Sequence, residues 1–380
     1  MRFPGFQSEW ETKHLGDVIE FKAGYAFPSN SMINEKSTYQ LIKMSNVYRS
    51  ELRLDRNPSF WDRVNTKQTE FLLKKGDTIL TLTGTVGKKD FGYSVQIDED
   101  DKYLLNQRLV LLREKKGKSV NDFISQVVSN EKFLSDFFET AKGGTGNQTN
   151  VGIESIKNLT FCFPIEYEQR KIAAFLKLIN QRIQTQNKII EELKLLKNTI
   201  RYRVFQQIRN DGNKFVEIRN ILDYEQPNKY LVTNTEYSSD NSLTPVLTAN
   251  KAFVLGYTNE NYGIYNKKEC IILDDFTMDT KFVNFPFKVK SSAIKILTPK
   301  PNVNLKFIFE YLSFLDLSSI EHKRHYISEI ELMEIALPDY TRQKQIAIVL
   351  SRIDEKIKTE FDIYALLINQ KQYLLQNLFI

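Results

Sequence analysis

One helix opening occurs twice in this chain, 174 residues apart, and that repetition restricts the fold more than any other feature. Phe163-Pro164-Ile165-Glu166-Tyr167-Glu168-Gln169-Arg170-Lys171-Ile172-Ala173 returns as Leu337-Pro338-Asp339-Tyr340-Thr341-Arg342-Gln343-Lys344-Gln345-Ile346-Ala347. Behind each opening the apolar residues step by fours and threes. The first run is Ile172, Leu176, Ile179, Ile183, Ile190, Leu193, Ile200 and Val204. The second is Ile346, Leu350, Ile353, Ile357, Tyr364, Leu367, Leu374 and Leu378. This is the heptad seam of a long amphipathic helix. Both seams lack two rungs, at the same places: Gln186 and Lys197 in the first, Glu360 and Lys371 in the second. Apolar rungs match apolar rungs and polar match polar, which identifies a true internal repeat.

Each helix, of about 38 residues, spans roughly 57 Å at a rise of about 1.5 Å per residue. A seam that long must be buried, and the expected partner is the helix's own repeat. Antiparallel pairing would place the two preceding blocks at opposite ends of a rod. A parallel pair, or a seam that takes another subunit, are the alternatives. The polar rungs either fix the register or let their stems cover apolar surface with the charge at the edge.

The blocks before the helices have another texture. Residues 1–160 hold short β-rich runs, Thr78-Ile79-Leu80-Thr81-Leu82 and Arg108-Leu109-Val110-Leu111-Leu112, separated by turns at Gly24, Gly76-Asp77, Gly84, Gly87 and Gly92. A helical patch over 120–141 precedes the loop Gly143-Gly144-Thr145-Gly146-Asn147-Gln148. Residues 215–335 repeat the style with other words: strands at Cys270-Ile271-Ile272-Leu273 and Ala293-Ile294-Lys295-Ile296-Leu297, then a helix near 304–318. The pattern predicts an α+β chain with two β-rich domains separated by two long helices packed as an antiparallel coiled coil, with pseudo-two-fold symmetry. The boundaries expected are 1–163 and 211–337 for the two domains, and 164–210 and 338–380 for the helices.

With 380 residues, 41% hydrophobic and 26% charged, the chain can build more than one core. A net charge of +6 favours anionic partners only mildly. Cys162 and Cys270 make no disulfide framework and no C-x-x-C pair, as in a cytosolic protein with reduced thiols. The start, MRFPGFQSEW, has no apolar signal core, and no run approaches a membrane span. The expected location is the cytoplasm.

No catalytic constellation can be assembled from the residues. Asn57-Pro58-Ser59-Phe60 has the wrong third residue for the base-holding tetrapeptide of amino-methyltransferases, and no glycine-rich cofactor loop accompanies it. Gly84-Thr85-Val86-Gly87-Lys88 fails the spacing of a phosphate loop and reads as a turn with an exposed lysine. Pro338-Asp339 is followed by no E-x-K, so a nuclease core is not written. His14, His322 and His325 have no zinc spacing with either cysteine. Asp274-Asp275 reads as a strand-end turn. No metal and no nucleophile–base pair is expected.

Variable block, Pro-x4-Gln helix, second variable block and the same helix again: this order resembles the specificity subunit of type I restriction–modification systems. The resemblance covers the whole chain. Its local marks are Trp10-Glu11-Thr12-Lys13-His14-Leu15-Gly16-Asp17, the two helix openings, and the 143–148 loop before the first. One departure is that the second block has Lys323-Arg324-His325-Tyr326 in place of a glycine-rich loop. The resemblance implies that the blocks are target recognition domains, each reading half of a split, asymmetric DNA target, with the helices as a ruler. It implies docking of two methyltransferase subunits and of restriction subunits. S-adenosylmethionine, ATP and Mg would sit on those partners and no cofactor on this chain, which would be non-catalytic. The alternatives are a coiled-coil scaffold with two protein-binding β domains, and an enzyme of unrecognised type.

Bases are read by Arg, Lys, Asn, Gln, Ser and Thr, while phosphates take Lys, Arg, hydroxyls and backbone amides. On that basis the DNA-binding candidates of the first block are Lys43, Thr83, Thr85, Lys88, Lys89, Asn106, Gln107, Arg108, Asn147 and Gln148. Those of the second are Asn250, Lys251, Thr277, Lys281, Lys290, Ser291, Ser292, Lys323, Arg324 and Tyr326. Tyr25 and Phe91 nearby read as core.

Overall fold

The computed structural model describes residues 5–48, 51–143, 147–248, 252–317, 326–327 and 329–378, without the side chain of Leu378. Its contacts divide the chain into two compact units. One holds the residues up to Thr185 and those from Tyr364 onward; the other is Gln186–Ile363. Each unit therefore contains one β-rich block and a length of both long helices.

The first long helix is Glu166–Asn210, 45 residues, and the second is Tyr340–Leu378, 39 residues. The first is longer than its seam alone suggested, about 68 Å at about 1.5 Å per residue. It gains a turn at its start, where Pro164 stands just ahead of Glu166 and Glu168, whose charges suit a helix N-terminus. Within each unit the two helices run antiparallel. In the second unit Gln186 Nε2 donates to Glu360 O at 3.1 Å and to its carboxylate. Lys197 meets Asp354, and Phe205 shares a core with Ala347 and Leu350. Numbers rise on one helix as they fall on the other. In the first unit Ile179 and Ile183 share a core with Leu374 and Leu375 in the same sense. Gln186 thus meets its own repeat counterpart.

Every described seam side chain is buried or half-buried. The seam does not serve the helix pair alone, however. Ile172 and Leu176 bury against Phe123, Phe133 and Phe163 of the first block, and Ile346 and Leu350 against Phe307, Ile308 and Tyr311 of the second. Apolar area is buried against whichever apolar surface is nearest, and at the start of each helix that is the block it leaves.

The two blocks repeat one layout with almost no shared words. The first has a four-stranded antiparallel sheet in the order Ile19–Ala23, Leu109–Glu114, Thr78–Thr81, Ser94–Gln96. The second has Leu222–Glu225, Ile294–Pro299, Cys270–Asp274, Thr280–Val283 in the same order. Each adds a three-stranded sheet with one parallel pair. That pair is Tyr103–Leu105 beside Tyr39–Ile42 in the first, and Lys288–Val289 beside Thr244–Leu247 in the second. Each is closed at its base by a two-stranded pairing, Glu11–His14 with Thr160–Phe163 and Lys214–Glu217 with Glu334–Leu337. The buried strands are rich in Ile, Leu and Val, as strands covered on both faces must be. The helical patch at 120–141 is two helices, Asn121–Val128 and Glu131–Glu139, because the Asn130 side chain accepts the Lys132 amide and starts a new one. Among the described residues of the second block, Leu305–Leu315 is its counterpart.

The repeated Pro-x4-Gln opening acts as a clamp. Gln169 is buried; its Oε1 accepts the Val120 amide at 3.1 Å, and its Nε2 donates to Pro164 O and Lys118 O. Gln343, also buried, accepts the Asn304 amide at 2.9 Å and donates to Pro338 O. Val120 and Asn304 are the N-caps of the block helices, whose first amides lack partners inside the helix. The motif that marks the repeat in sequence thus ties each block to its long helix.

Candidate nucleic-acid interface

In each block the parallel pair decides where the polar side chains gather. Two parallel strands end side by side, so the segments that leave them begin at one edge of the sheet. In the first block Ile42 pairs with Leu105, and the Asn106 amide donates to Ile42 O at 3.1 Å. Lys43-Met44-Ser45 leaves one strand there and Asn106-Gln107-Arg108 the other. The strand Thr83–Thr85, paired with Gln148–Asn150, brings a third segment.

Two adjoining concavities of about 430 and 410 Å³ result, sharing Met44 and Arg108. They take in Lys43, Thr83, Thr85, Asn106, Gln107, Arg108, Asn147 and Gln148, so most of the sequence candidates of this block converge on one surface. Lys88 and Lys89 are exposed on the turn beyond, with Lys89 Nζ 5.3 Å from the centre of the Phe138 ring. Residues 144–146 of the adjoining loop lie outside the described residues.

The members of the cluster differ in freedom. Gln107, Arg108, Asn147 and Gln148 are exposed. Arg108 has φ +68, in the left-handed region where a non-glycine residue costs of the order of 1 kcal/mol or more, a kind of strain that gathers at functional sites. Thr85 is tied by its amide and hydroxyl to Asp90 at 2.8 and 2.7 Å, and those bonds hold the Asp90 carboxyl below its ordinary value. Lys43 donates to Ser59 Oγ at 2.8 Å, and burial pushes its ammonium down. Two candidates face inward instead. Thr83 is buried on Asn150, and Asn106 is buried with Oδ1 turned back onto the Gln107 amide. They shape the surface from beneath. Gly24 lets the sheet close here: a Cβ at this position would lie 1.9 Å from Asn106 O.

The second block presents the same edge. Leu247 pairs with Val289, and the Lys290 amide donates to Leu247 O at 3.1 Å, as Asn106 does to Ile42. Lys290, Ser291 and Ser292 are exposed there. Thr277 is exposed in the turn after Cys270–Asp274, where Asp274 Oδ1 accepts the Phe276 and Thr277 amides at 3.0 Å each. Lys281 is half-buried on Thr280–Val283. Asn250, Lys251, Lys323 and Arg324 lie outside the described residues. Tyr326 corrects the sequence reading. It is 1% exposed, its ring packs 5.2 Å from that of Tyr224, and its amide donates to Asp275 Oδ1 at 2.8 Å. Burial pushes its phenol up, and the residue belongs to the core.

The remaining motifs resolve as turns and pairs. Asn57, at φ +45, makes the turn before Ser59, which receives Lys43. Asp275 is buried against Lys295 at 3.3 Å. No cluster of His, Cys, Asp and Glu among the described residues could hold a metal, and none of their helices is long and apolar enough to cross a membrane. Met44, Asp90 and the clamping role of the two repeated glutamines escaped the sequence reading. The strand Tyr39–Ile42 was the missing signal for the first, because its polar Tyr-Gln start hides the period.

Fold and site together define a protein with two readers on one shared layout, their variable loops displayed at the ends of parallel strands. The chain belongs to the type I restriction–modification specificity family: the type I restriction modification DNA specificity domain matches it twice, over residues 7–195 and 210–368. It is 43% identical over 131 residues to the specificity subunit of an Escherichia coli type I restriction enzyme, a stretch that covers 33% of this chain and 32% of that one. The chain thus aligns with about a third of that relative's length. A putative type I specificity subunit of Methanocaldococcus jannaschii is 23% identical over 92% of this chain and 88% of its own. The type I S subunit from M. genitalium superposes with a TM-score of 0.68 at 15% identity, covering 100% of this chain and 99% of that one. A chain from a structure of type I R-M complex assembly and conformational transition gives 0.56 at 13% identity, with 97% of each covered. At such identities these two likenesses are of fold. The relatives are specificity subunits, the non-catalytic members of their complexes. This chain is accordingly a specificity subunit with two recognition domains.

Proposed function

We propose that the chain gives a type I restriction–modification complex its DNA address by reading two unlike half-sites, one with residues 1–163 and one with 211–337. The observation that carries this reading is the repeated loop-bearing sheet edge with different residues on it: Lys43, Gln107, Arg108, Asn147 and Gln148 in one block, and Thr277, Lys290, Ser291 and Ser292 in the other. Two readers in one chain multiply discrimination, since each mismatched base pair costs about 1–3 kcal/mol and the second binding event is intramolecular. The helices 164–210 and 338–380 act as the spacer and as docking positions for two methyltransferase subunits, which are joined by restriction subunits. S-adenosylmethionine, ATP and Mg are bound by those partners, in the cytoplasm.

The test is an exchange of block 1–163 for that of another family member, with methylated bases then mapped across host DNA. One half of the recognised sequence should change and the other stay. An unchanged set of methylated sites would overturn the proposal. Salt-dependent binding of the complex to duplex DNA separates it from a scaffold that carries only proteins.

A further inference from the structure

The repeat places a lysine at one rung of both helices, Lys197 and Lys371, and gives the two unlike company. Lys197 Nζ donates to Glu310 Oε1 at 2.9 Å and to Asp354 Oδ1 at 2.6 Å. Glu310 comes from the block helix Leu305–Leu315, has no exposed side-chain surface, and takes Arg201 Nε on Oε2 at 2.9 Å. Lys306 pairs with Glu310 and Asp354, both at 2.9 Å. Five charges from three helices thus close on one another inside the second unit. Removing Lys197 takes one of three cations from the buried Glu310 and one of two from Asp354, so the network favours one arrangement over others even where it adds little net stability.

The counterparts in the first unit follow by register. The clamp glutamines receive the amides of Val120 and Asn304, and six residues further on stand Gln126 and Glu310. The 174-residue shift takes Asp354 to Asn180 and Lys197 to Lys371. Gln126, Asn180 and Lys371 line one cavity of about 790 Å³, where Asp122 is engaged by Lys177 at 3.6 Å. Lys371 makes no ion pair among the described residues, and burial pushes its ammonium below the ordinary lysine value. The same lysine therefore pairs with two carboxylates in one unit, while in the other it shares a cavity with the neutral amides that stand at their repeat positions.

We infer that Lys197 and Glu310 are positioning residues for DNA reading: they hold the second block in a single orientation on the helices of its unit, while the first block has its clamp and, at the matching place, neutral amides and one exposed ion pair, Asp122 with Lys177. This rests on the proposed function, and the matched variants K197M and K371M test it in the full chain bound to its methyltransferase subunits. Binding is measured to duplexes with single mismatches in either half-site, and hydrogen exchange is followed in the two block helices. K197M should speed exchange in Leu305–Leu315 and lose about tenfold in discrimination at the second block's half-site, the size of one weakened base contact. It should change the first half-site less than about twofold, and K371M should leave both half-sites as they are. Faster exchange with unchanged discrimination would make the network merely structural and overturn the inference, as would wild-type behaviour in both readouts. A wild-type complex indifferent to DNA sequence would sink the functional reading instead, with the exchange arm still deciding whether the network holds the helix. Should K197M fail to fold, Q126E/N180D rebuilds the carboxylates around Lys371. That variant should slow exchange in Asn121–Val128 and sharpen discrimination at the first half-site, and no change in either would overturn the inference.

Discussion

The first block carries a small third sheet, Lys142–Gly143, Gln148–Asn150 and Thr83–Thr85, at the place where the described residues of the second block show the turn between Cys270–Asp274 and Thr280–Val283. The scaffold beneath is shared to the level of single hydrogen bonds. Asn106 and Lys290 donate to equivalent carbonyls, and so do Leu82 and Asp275, which donate to Arg108 O and Ala293 O. The difference teaches which parts of one layout are free to change. Backbone bonds between strands tolerate any side chain that fits, so the sheet persists while the segments at its edge change length and chemistry. The attachment to the helices varies as well, since the same clamp is present in both units but the charge network in one.

The sharpest way to break this comparison is at Gly24. Its equivalent in the second block is Leu231, because Tyr25 and Val232 donate to the matching carbonyls of Leu105 and Val289. A side chain is accommodated at one place and meets Asn106 O at the other. G24A should destabilise the first unit by about 3 kcal/mol or more by denaturant unfolding, since backbone cannot move aside as a side chain can. A loss under about 1 kcal/mol would show that the two sheets are less alike than their bonds suggest.

The clamp should act equally in both units. Q169L and Q343L each strand the amide of a block helix's N-cap residue and a proline carbonyl, at a cost of about 1–3 kcal/mol apiece. A silent member of the pair would mean that only one block depends on its motif. At Arg108 stability and binding should part company. R108G relieves a left-handed backbone and should stabilise by about 1 kcal/mol, while cognate DNA binding weakens by about 1–3 kcal/mol. Its counterpart Ala293 offers no such handle, and A293G should leave DNA binding unchanged.

The smallest effect concerns acid. At Glu310 and Asp354 burial raises the carboxyl, but Lys197 and Lys306 outweigh it and hold both below their ordinary values. Groups depressed in the folded state contribute stability above their unfolded pKa of roughly 4 and lose it as pH falls through the folded value. The second unit should therefore lose stability below about pH 4 more steeply than the first, where Gln126 and Asn180 do not titrate. Exchange rates in the two block helices across that range would show it, and parallel profiles would count against the asymmetry.

The seam, its matching polar rungs and the two Pro-x4-Gln openings were enough to read the helices and their repetition, because helical period and a duplicated motif are local properties. The glycine-rich stretch was enough to place Asn147 on a loop, while Arg108 was read as the start of a β run and lies in the turn just before it. The inward turn of Thr83 and Asn106 was not legible, nor was the burial of Tyr326, since strand-edge residues face in or out according to partners distant in sequence. The role of Gln169 was likewise hidden, because its donor, the Val120 amide, and its acceptor, Lys118 O, stand just ahead of a block helix about 50 residues earlier.

By itself, then, the sequence determined that this protein has two long amphipathic helices in one register and two β-rich blocks with no shared words. Periodicity and repetition are written along the chain. Only the tertiary structure decided that the blocks are one topology. It also decided that parallel strand ends gather the candidate loops, and that Lys197 finds carboxylates where Lys371 shares a cavity with amides. Each of these depends on which distant residues meet, and a pairing across 100 residues leaves no period in the chain to read.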